Sequence, residues 1–214
     1  MQVKEEKRHL NFYEYFLVFF VACFLGVGLE MIYWYIRTGV IESRSGLIYG
    51  PFNLVYGIGA LLMTIVLLNQ KNKVKVFVLG FLIGAIFEFS CSVFQEYVFH
   101  TVSWDYGNSF LSLGGRVNLF FSCCWGILAV VWVELVIPLL LKIFAKINFT
   151  TKKAVAIVLL IFMIFNVTVS FMACYRQRLR KDGVPARNQL EVFLDKMYPD
   201  EMLDKIYANK KYVR

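Results

Sequence analysis

Five runs of apolar residues, at about 15–36, 51–69, 74–99, 117–141 and 154–175, dominate the 214-residue chain and leave it few folds to choose from. Each is long enough to cross roughly 30 Å of hydrocarbon at about 1.5 Å per helical residue. Lipid offers the backbone no hydrogen-bond partner and the runs lack the alternation of barrel strands, so all five are expected to be helices. A composition of 59% hydrophobic and 18% charged residues excludes a water-soluble fold. The net charge of +8 would suit a nucleic-acid binder in a soluble chain. Here the cations flank the apolar runs, so they mark membrane orientation and imply no nucleic-acid partner. The first run is too long for a cleavable signal peptide, carries Glu30 and lacks a small-residue cleavage site. The fold class is therefore all-α, a polytopic helical membrane protein of about five transmembrane helices plus a short helical C-terminal tail. Its parts are an N-terminal tail (1–14), a transmembrane bundle (15–175), and a basic juxtamembrane segment with an amphipathic tail (176–214).

With five spans, the N-tail and the 70–73 and 142–153 loops share one membrane side, and the 37–50 loop, the 100–116 loop and the C-tail share the other. Loop cations alone, with Lys71, Lys73, Lys142, Lys146, Lys152 and Lys153 against Arg37, Arg44 and Arg116, favour a cytoplasmic N-terminus. The cluster Arg176, Arg178, Arg180 and Lys181 after the last span pulls the other way. All five cysteines lie inside spans without CxxC spacing, which suggests apolar packing rather than a disulfide framework or a metal site.

Four glutamates, Glu30, Glu88, Glu96 and Glu134, stand inside the runs. A charged side chain at the bilayer centre costs about 2.5–3.5 kcal/mol on the lenient insertion scale, so these acids should face the bundle interior, paired or protonated. Gly80, Gly84, Glu88, Ser92 and Glu96 recur every fourth residue and form one stripe on a helix, as do Gly26, Glu30 and Trp34. Small residues on such a stripe admit a neighbouring backbone closely. A compact polar site is expected in which Glu30 and Glu96 pair with Arg116 or Arg44, Glu88 lies beneath, and Trp104, Asp105 and Tyr106 adjoin. It can serve as a binding site or as salt bridges that fix helix register. Glu134, four residues before the helix-kinking Pro138, is expected to snorkel toward the Lys142 end. Gly50-Pro51 and Tyr56-Gly57-Ile58-Gly59 mark a turn entering a glycine-bearing span, for close packing or for a broken helix that lines a site.

Glu96, His100 and Asp105 could serve as acid-base or metal-binding groups, against a plain histidine at the membrane boundary. The chain has no HExxH, GxSxG or GxxxxGK[ST] pattern, so no catalytic residue, metal set or cofactor is assigned, and ATP-driven work would need a separate ATPase subunit. In the tail, Leu190, Phe193, Leu194 and Met197 share a helical face. Pro199-Asp200-Glu201 can start a second helix bearing Leu203, Ile206 and Tyr207. Too short for its own core, the tail should dock on the membrane surface, the bundle loops or a partner. Five spans enclose little volume, which favours a homo-oligomer or a hetero-complex.

Four blocks carry a family resemblance: Gly26-Val27-Gly28-Leu29-Glu30 with Tyr33; Gly46-Leu47-Ile48-Tyr49-Gly50-Pro51 with Tyr56-Gly57-Ile58-Gly59-Ala60; Glu88, Glu96, Trp104-Asp105-Tyr106, Gly115-Arg116 and Trp125-Gly126; and Leu194-Asp195, Tyr198-Pro199-Asp200-Glu201 and Ile206-Tyr207. On these residues the chain resembles the CmpB-like family of bacterial membrane proteins, labelled ABC transporter permeases of type IV without a named substrate. Val27, Arg44-Ser45, Leu54, Gly107 and Ser112 depart from the family pattern. The resemblance implies a multi-pass transport component of the bacterial cell membrane, working in the lipid bilayer with a separate ATPase subunit. The competing readings are a membrane enzyme acting on lipid or a lipid-linked substrate, and a non-catalytic scaffold.

Overall fold

Asparagine starts nearly every helix of the computed structural model, which describes residues 8–107 and 109–213. The first seven residues, most of the expected N-terminal tail, lie outside the described residues, as do Asn108 and Arg214. The elements are α1 (Phe12–Thr38), α2 (Leu54–Leu67), α3 (Lys73–Phe99), β1 (Thr101–Val102), α4 (Leu119–Val131), α5 (Ile137–Ala145), α6 (Phe149–Lys181), α7 (Gln189–Met197), α8 (Asp200–Ile206) and β2 (Lys211–Tyr212). The side chains of Asn11, Asn53, Asn72, Asn118, Asn148 and Asn188 accept backbone N–H bonds in the first turns of α1, α2, α3, α4, α6 and α7. Each cap satisfies a donor that a helix N-terminus otherwise leaves open.

Four helices are long and apolar enough to cross a bilayer: α1, α3, the continuous stretch Leu119–Ala145 and α6. Their outer faces carry exposed Ile32, Ile86, Leu135 and Ile161, as a lipid-facing surface requires. Within Leu119–Ala145 a π-helical turn, Trp132–Val136, separates α4 from α5. Pro138 lacks an N–H and its ring crowds the carbonyl of Glu134, so the turn before it widens. Glu134 pairs with Lys73 at 3.0 Å, a partner at the start of α3 and not at the Lys142 end of its own helix.

The second apolar run differs most from expectation. Its helix, α2, has 14 residues and spans only about 21 Å. The N–H of Asn53 bonds the carbonyl of Cys23, halfway along α1, and at the other end of α2 the Asn69 side chain exchanges bonds with the backbone of Arg8. After Gly39 (φ 71°) ends α1, the chain therefore descends as coil to mid-bundle, and α2 completes the return. The crossing is half coil and half helix, so the 37–50 and 100–116 loops still share one end of the bundle with the tail. Side chains of α6 satisfy this buried coil. Ser170 Oγ accepts from Ile48 N (2.9 Å), while Asn166 accepts from Tyr49 N (3.1 Å) and donates to Tyr49 O (2.6 Å). Irregular backbone at membrane depth persists only where protein groups replace water in this way.

The stripe on α3 packs against α4. A Cβ on Gly80 would lie 2.2 Å from Ala129 Cβ, and one on Gly84 would lie 2.3 Å from Trp125 Cγ. Cys23, Met63, Leu67 and Ile137 fill the main core between α1, α2, α5 and α6. Glu14 and Lys152, 2.6 Å apart and both 13% exposed, clamp α1 to α6 at the end away from the loops.

The tail docks on the bundle. Leu194, Tyr198 and Leu203 bury against Ile48, Val169 and Ala173, and β2 pairs antiparallel with β1. Arg176, 3% exposed, bonds both oxygens of Asp195 at 2.9 Å, and Arg180 reaches Asp195 and Asp200, each at 2.5 Å. The basic cluster after the last span is thus tied up in tertiary pairs. Burial alone would raise the Asp195 carboxyl, but hydrogen bonds from Arg176 and Arg180 outweigh it and hold the group below its usual range.

Candidate functional site

The expected acids and arginines converge at the end of the bundle where the loops meet the tail. Glu88, 6% exposed, accepts from the Tyr106 hydroxyl and from Trp125 Nε1 (3.2 Å). One turn on, Arg116 is ion-paired with Glu96 and donates to Ser92 Oγ at 3.2 Å. The 103–117 loop is built to hold that arginine. Trp104 Nε1 donates to the Arg116 carbonyl (2.9 Å), Tyr106 N to the Gly115 carbonyl (2.8 Å), and Asp105 accepts from Gly107 N (2.8 Å). Gly115, at φ 72°, passes so close to Asp105 that a Cβ there would lie 2.5 Å from its carboxylate. The Tyr106 ring stacks on Phe121 with centroids 4.7 Å apart. Burial, with the Glu88 charge alongside, raises the Tyr106 hydroxyl well above its usual range, so it stays a donor.

Glu30 belongs to a second group. It lies against the Tyr56 hydroxyl and the Arg44 charge. Arg44 is 8% exposed, stacks over Trp34 at 3.9 Å and pairs with Glu42 at 3.3 Å. Of the two pairings left open by the sequence, Arg116 takes Glu96 and Arg44 stands beside Glu30. The two groups meet through Tyr56 and Trp125, whose ring centroids are 5.6 Å apart. Gly57 backs this junction, since a Cβ there would fall 2.2 Å from Cys23 Sγ. Gly50 (φ 81°) and Pro51 form the turn of the buried coil, where Ser45 Oγ donates to the Leu47 and Gly50 carbonyls at 2.7 and 2.9 Å.

A cavity of about 570 Å³ opens beside Glu30 and Arg44. Part of its wall was not singled out from sequence: Ser170 and Gln177 from α6, and Asn209, Lys210 and Tyr212 from the tail, which also brings Tyr207, a residue the sequence did mark. Gln177, 1% exposed, donates to Asp204 (2.9 Å) and accepts from Lys210. The buried Lys210 ammonium is held below its usual range by desolvation. The sequence signal for the α6 residues was present: Asn166, Ser170 and Gln177 are polar positions in the last long helix, less conspicuous than the acids.

Glu96, His100 and Asp105 do not converge. Glu96 is held by Arg116 and Asp105 by the backbone of Gly107, while His100 ends α3 at φ 52° with its ring 3.7 Å from Asp182.

Four membrane-capable helices among the described residues, with a coil stretch held at mid-bundle, define a polytopic helical membrane protein. The family described as "Putative ABC-transporter type IV" (CmpB) matches residues 17–171, and the chain belongs to it. No curated protein and no solved structure matches the chain.

Proposed function

We propose that the chain is the permease-like membrane component of an ABC-type transporter of the bacterial cell membrane. In this reading Glu30 and Arg44 line a substrate-handling site, and Glu88, Glu96 and Arg116 order the loop and helices beside it. A separate ATPase subunit supplies the energy, because the chain has no phosphate-binding loop of its own. The observation that carries the reading is the coil at Gly46–Asn53. It lies at mid-bundle with Leu47, Ile48, Phe52 and Asn53 buried, is satisfied by Asn166 and Ser170, and contributes Gly46, Leu47 and Asn53 to the wall of the cavity. Broken secondary structure at this depth is how helical transporters build their sites. Family membership agrees with a transport role. Trp104, Asp105 and Tyr106 act by positioning Arg116 and Glu88, and the 15–175 bundle works with its tail as one unit, in a complex with the ATPase or with a second copy.

The test is purification of the tagged chain from its own membranes in mild detergent, with ATP hydrolysis as readout. An ATPase subunit should copurify, and Glu88→Gln should lower hydrolysis several-fold while leaving the complex assembled. Absence of ATPase activity, or an unchanged rate in Glu88→Gln, would refute the reading.

A further inference from the structure

The cavity has a polar roof, apolar walls and an open flank. Among the described residues that line it, the only charged ones are Glu30, Arg44 and Lys210, two cations against one acid. Both cations are nearly buried, at 8% for Arg44 and 9% for the Lys210 side chain. Their other acidic partners, Glu42 and Asp204, lie outside the lining and are 38% and 47% exposed. A guanidinium has five N–H donors and an ammonium three, so both retain capacity for a further acceptor. The walls below are apolar, with Leu54, Phe87 and Val167 among them.

The tail lies across one end of the cavity, where β2 pairs with β1 and Val213 N bonds the His100 carbonyl at 2.9 Å. On the flank, α3 and α6 meet at Phe99 and Phe171 (5.3 Å). At and beside that contact the lining residues Ile58, Phe94 and Phe171 are 37%, 51% and 44% exposed on the lipid-facing surface. An occupant entering there comes from the bilayer, with an apolar part for the phenylalanines and a polar end for the cations. The volume of about 570 Å³ falls within the roughly 300–1,000 Å³ of small-molecule sites.

We propose that this cavity binds an anionic amphiphile taken laterally from the membrane between α3 and α6, with its headgroup at Arg44 and Lys210 beneath the tail. The inference rests on the reading that the cavity handles substrate and names the substrate's chemical class. It does not depend on an ATPase.

The test uses the full-length chain, delipidated in mild detergent and titrated by native mass spectrometry with dioleoyl phosphatidylglycerol, dioleoyl phosphatidylcholine and inorganic phosphate. One saturable phosphatidylglycerol should bind at least about tenfold more tightly than phosphatidylcholine, and Arg44→Gln should weaken it about tenfold, as expected for loss of a charge-assisted hydrogen bond. Ser90→Trp at the exposed flank should block binding while leaving both cations in place, which keeps the test decisive should Arg44→Gln fail to fold. Equal binding of the two lipids, or binding untouched by Ser90→Trp, overturns the proposal. Inorganic phosphate competing as well as the lipid would assign the cations to a soluble anion and also overturn it. None of these readouts involves ATP hydrolysis, so the proposal and the transporter reading can fail separately.

Discussion

Replacing Asn166 with leucine should release the buried coil. The side chain is fully buried, and its two bonds to Tyr49, at 3.1 and 2.6 Å, satisfy both the N–H and the C=O of that residue. Leucine has the same number of side-chain heavy atoms in the same branching but is bulkier, so the substitution leaves no cavity and any overpacking adds to the polar loss. Tyr49 is 37% exposed on the lipid-facing side, and each backbone group left without a partner away from water costs about 1–3 kcal/mol, so two give at most about 2–6 kcal/mol. Ser170→Ala, which leaves one backbone group of the coil, Ile48 N, without its acceptor and also removes the hydroxyl's weaker bond to Asn166 at 3.4 Å, should cost about half as much. The double variant should be less destabilised than the sum, because both side chains hold neighbouring residues of one segment. Unfolding by SDS titration gives the free energies. A Leu47→Cys reporter in an otherwise cysteine-free chain gives the location, since Leu47 is 2% exposed and should resist a maleimide until the coil is freed. If Asn166→Leu unfolds within about 0.5 kcal/mol of the parent and the reporter stays protected, Asn166 does not hold the coil.

Further predictions follow from the packing and the charges. Gly84→Leu should cost about 1–3 kcal/mol or more by thermal melting, because even a Cβ would lie 2.3 Å from Trp125, whereas Gly28→Ala, with nothing within 4 Å, should melt like the parent. Glu88→Gln should leave the melting temperature close to the parent, since the amide oxygen can still accept from Tyr106 or Trp125; a large loss of folded protein would make Glu88 a structural residue. For Asp195 the folded value lies below the ordinary 3.8, so its contribution to tail docking is complete above about pH 3.8 and fades as pH falls through the lower folded value. Limited pepsin digestion across roughly pH 2–5 should therefore release the tail only at the acid end, and Asp195→Asn should release it throughout. A tail that stays resistant in Asp195→Asn would show that Leu194, Tyr198 and Leu203 hold it without the ion pairs.

Much of the architecture was legible because bilayer solvation acts on composition. A run of apolar residues must be helical wherever it ends up, and a four-residue spacing such as Gly80, Gly84, Glu88 and Ser92 places one stripe inward whatever the partner is. Those four residues are buried on α3 as the spacing implies. The asparagine caps were legible in principle, since Asn precedes most of the helices, but the apolar runs drew the boundaries instead.

The tertiary structure decided which charges meet and where the backbone leaves the helix. Glu96 with Arg116 is an ion pair between elements, and Arg44 brings its charge near Glu30 while pairing with Glu42; spacing along one helix cannot choose between two candidate arginines. The second apolar run, 51–69, was long enough to span, yet its helix covers only Leu54–Leu67, and the coil that precedes it reaches mid-bundle where Asn166 and Ser170, more than a hundred residues away, supply the partners that a helix would have supplied to itself. Likewise Arg176 and Arg180 read as an interfacial charge cluster until Asp195 and Asp200 fold back onto them. Hydropathy and periodicity report the local requirement of each segment. Which distant group satisfies a buried donor, acceptor or charge is fixed only when the helices have packed.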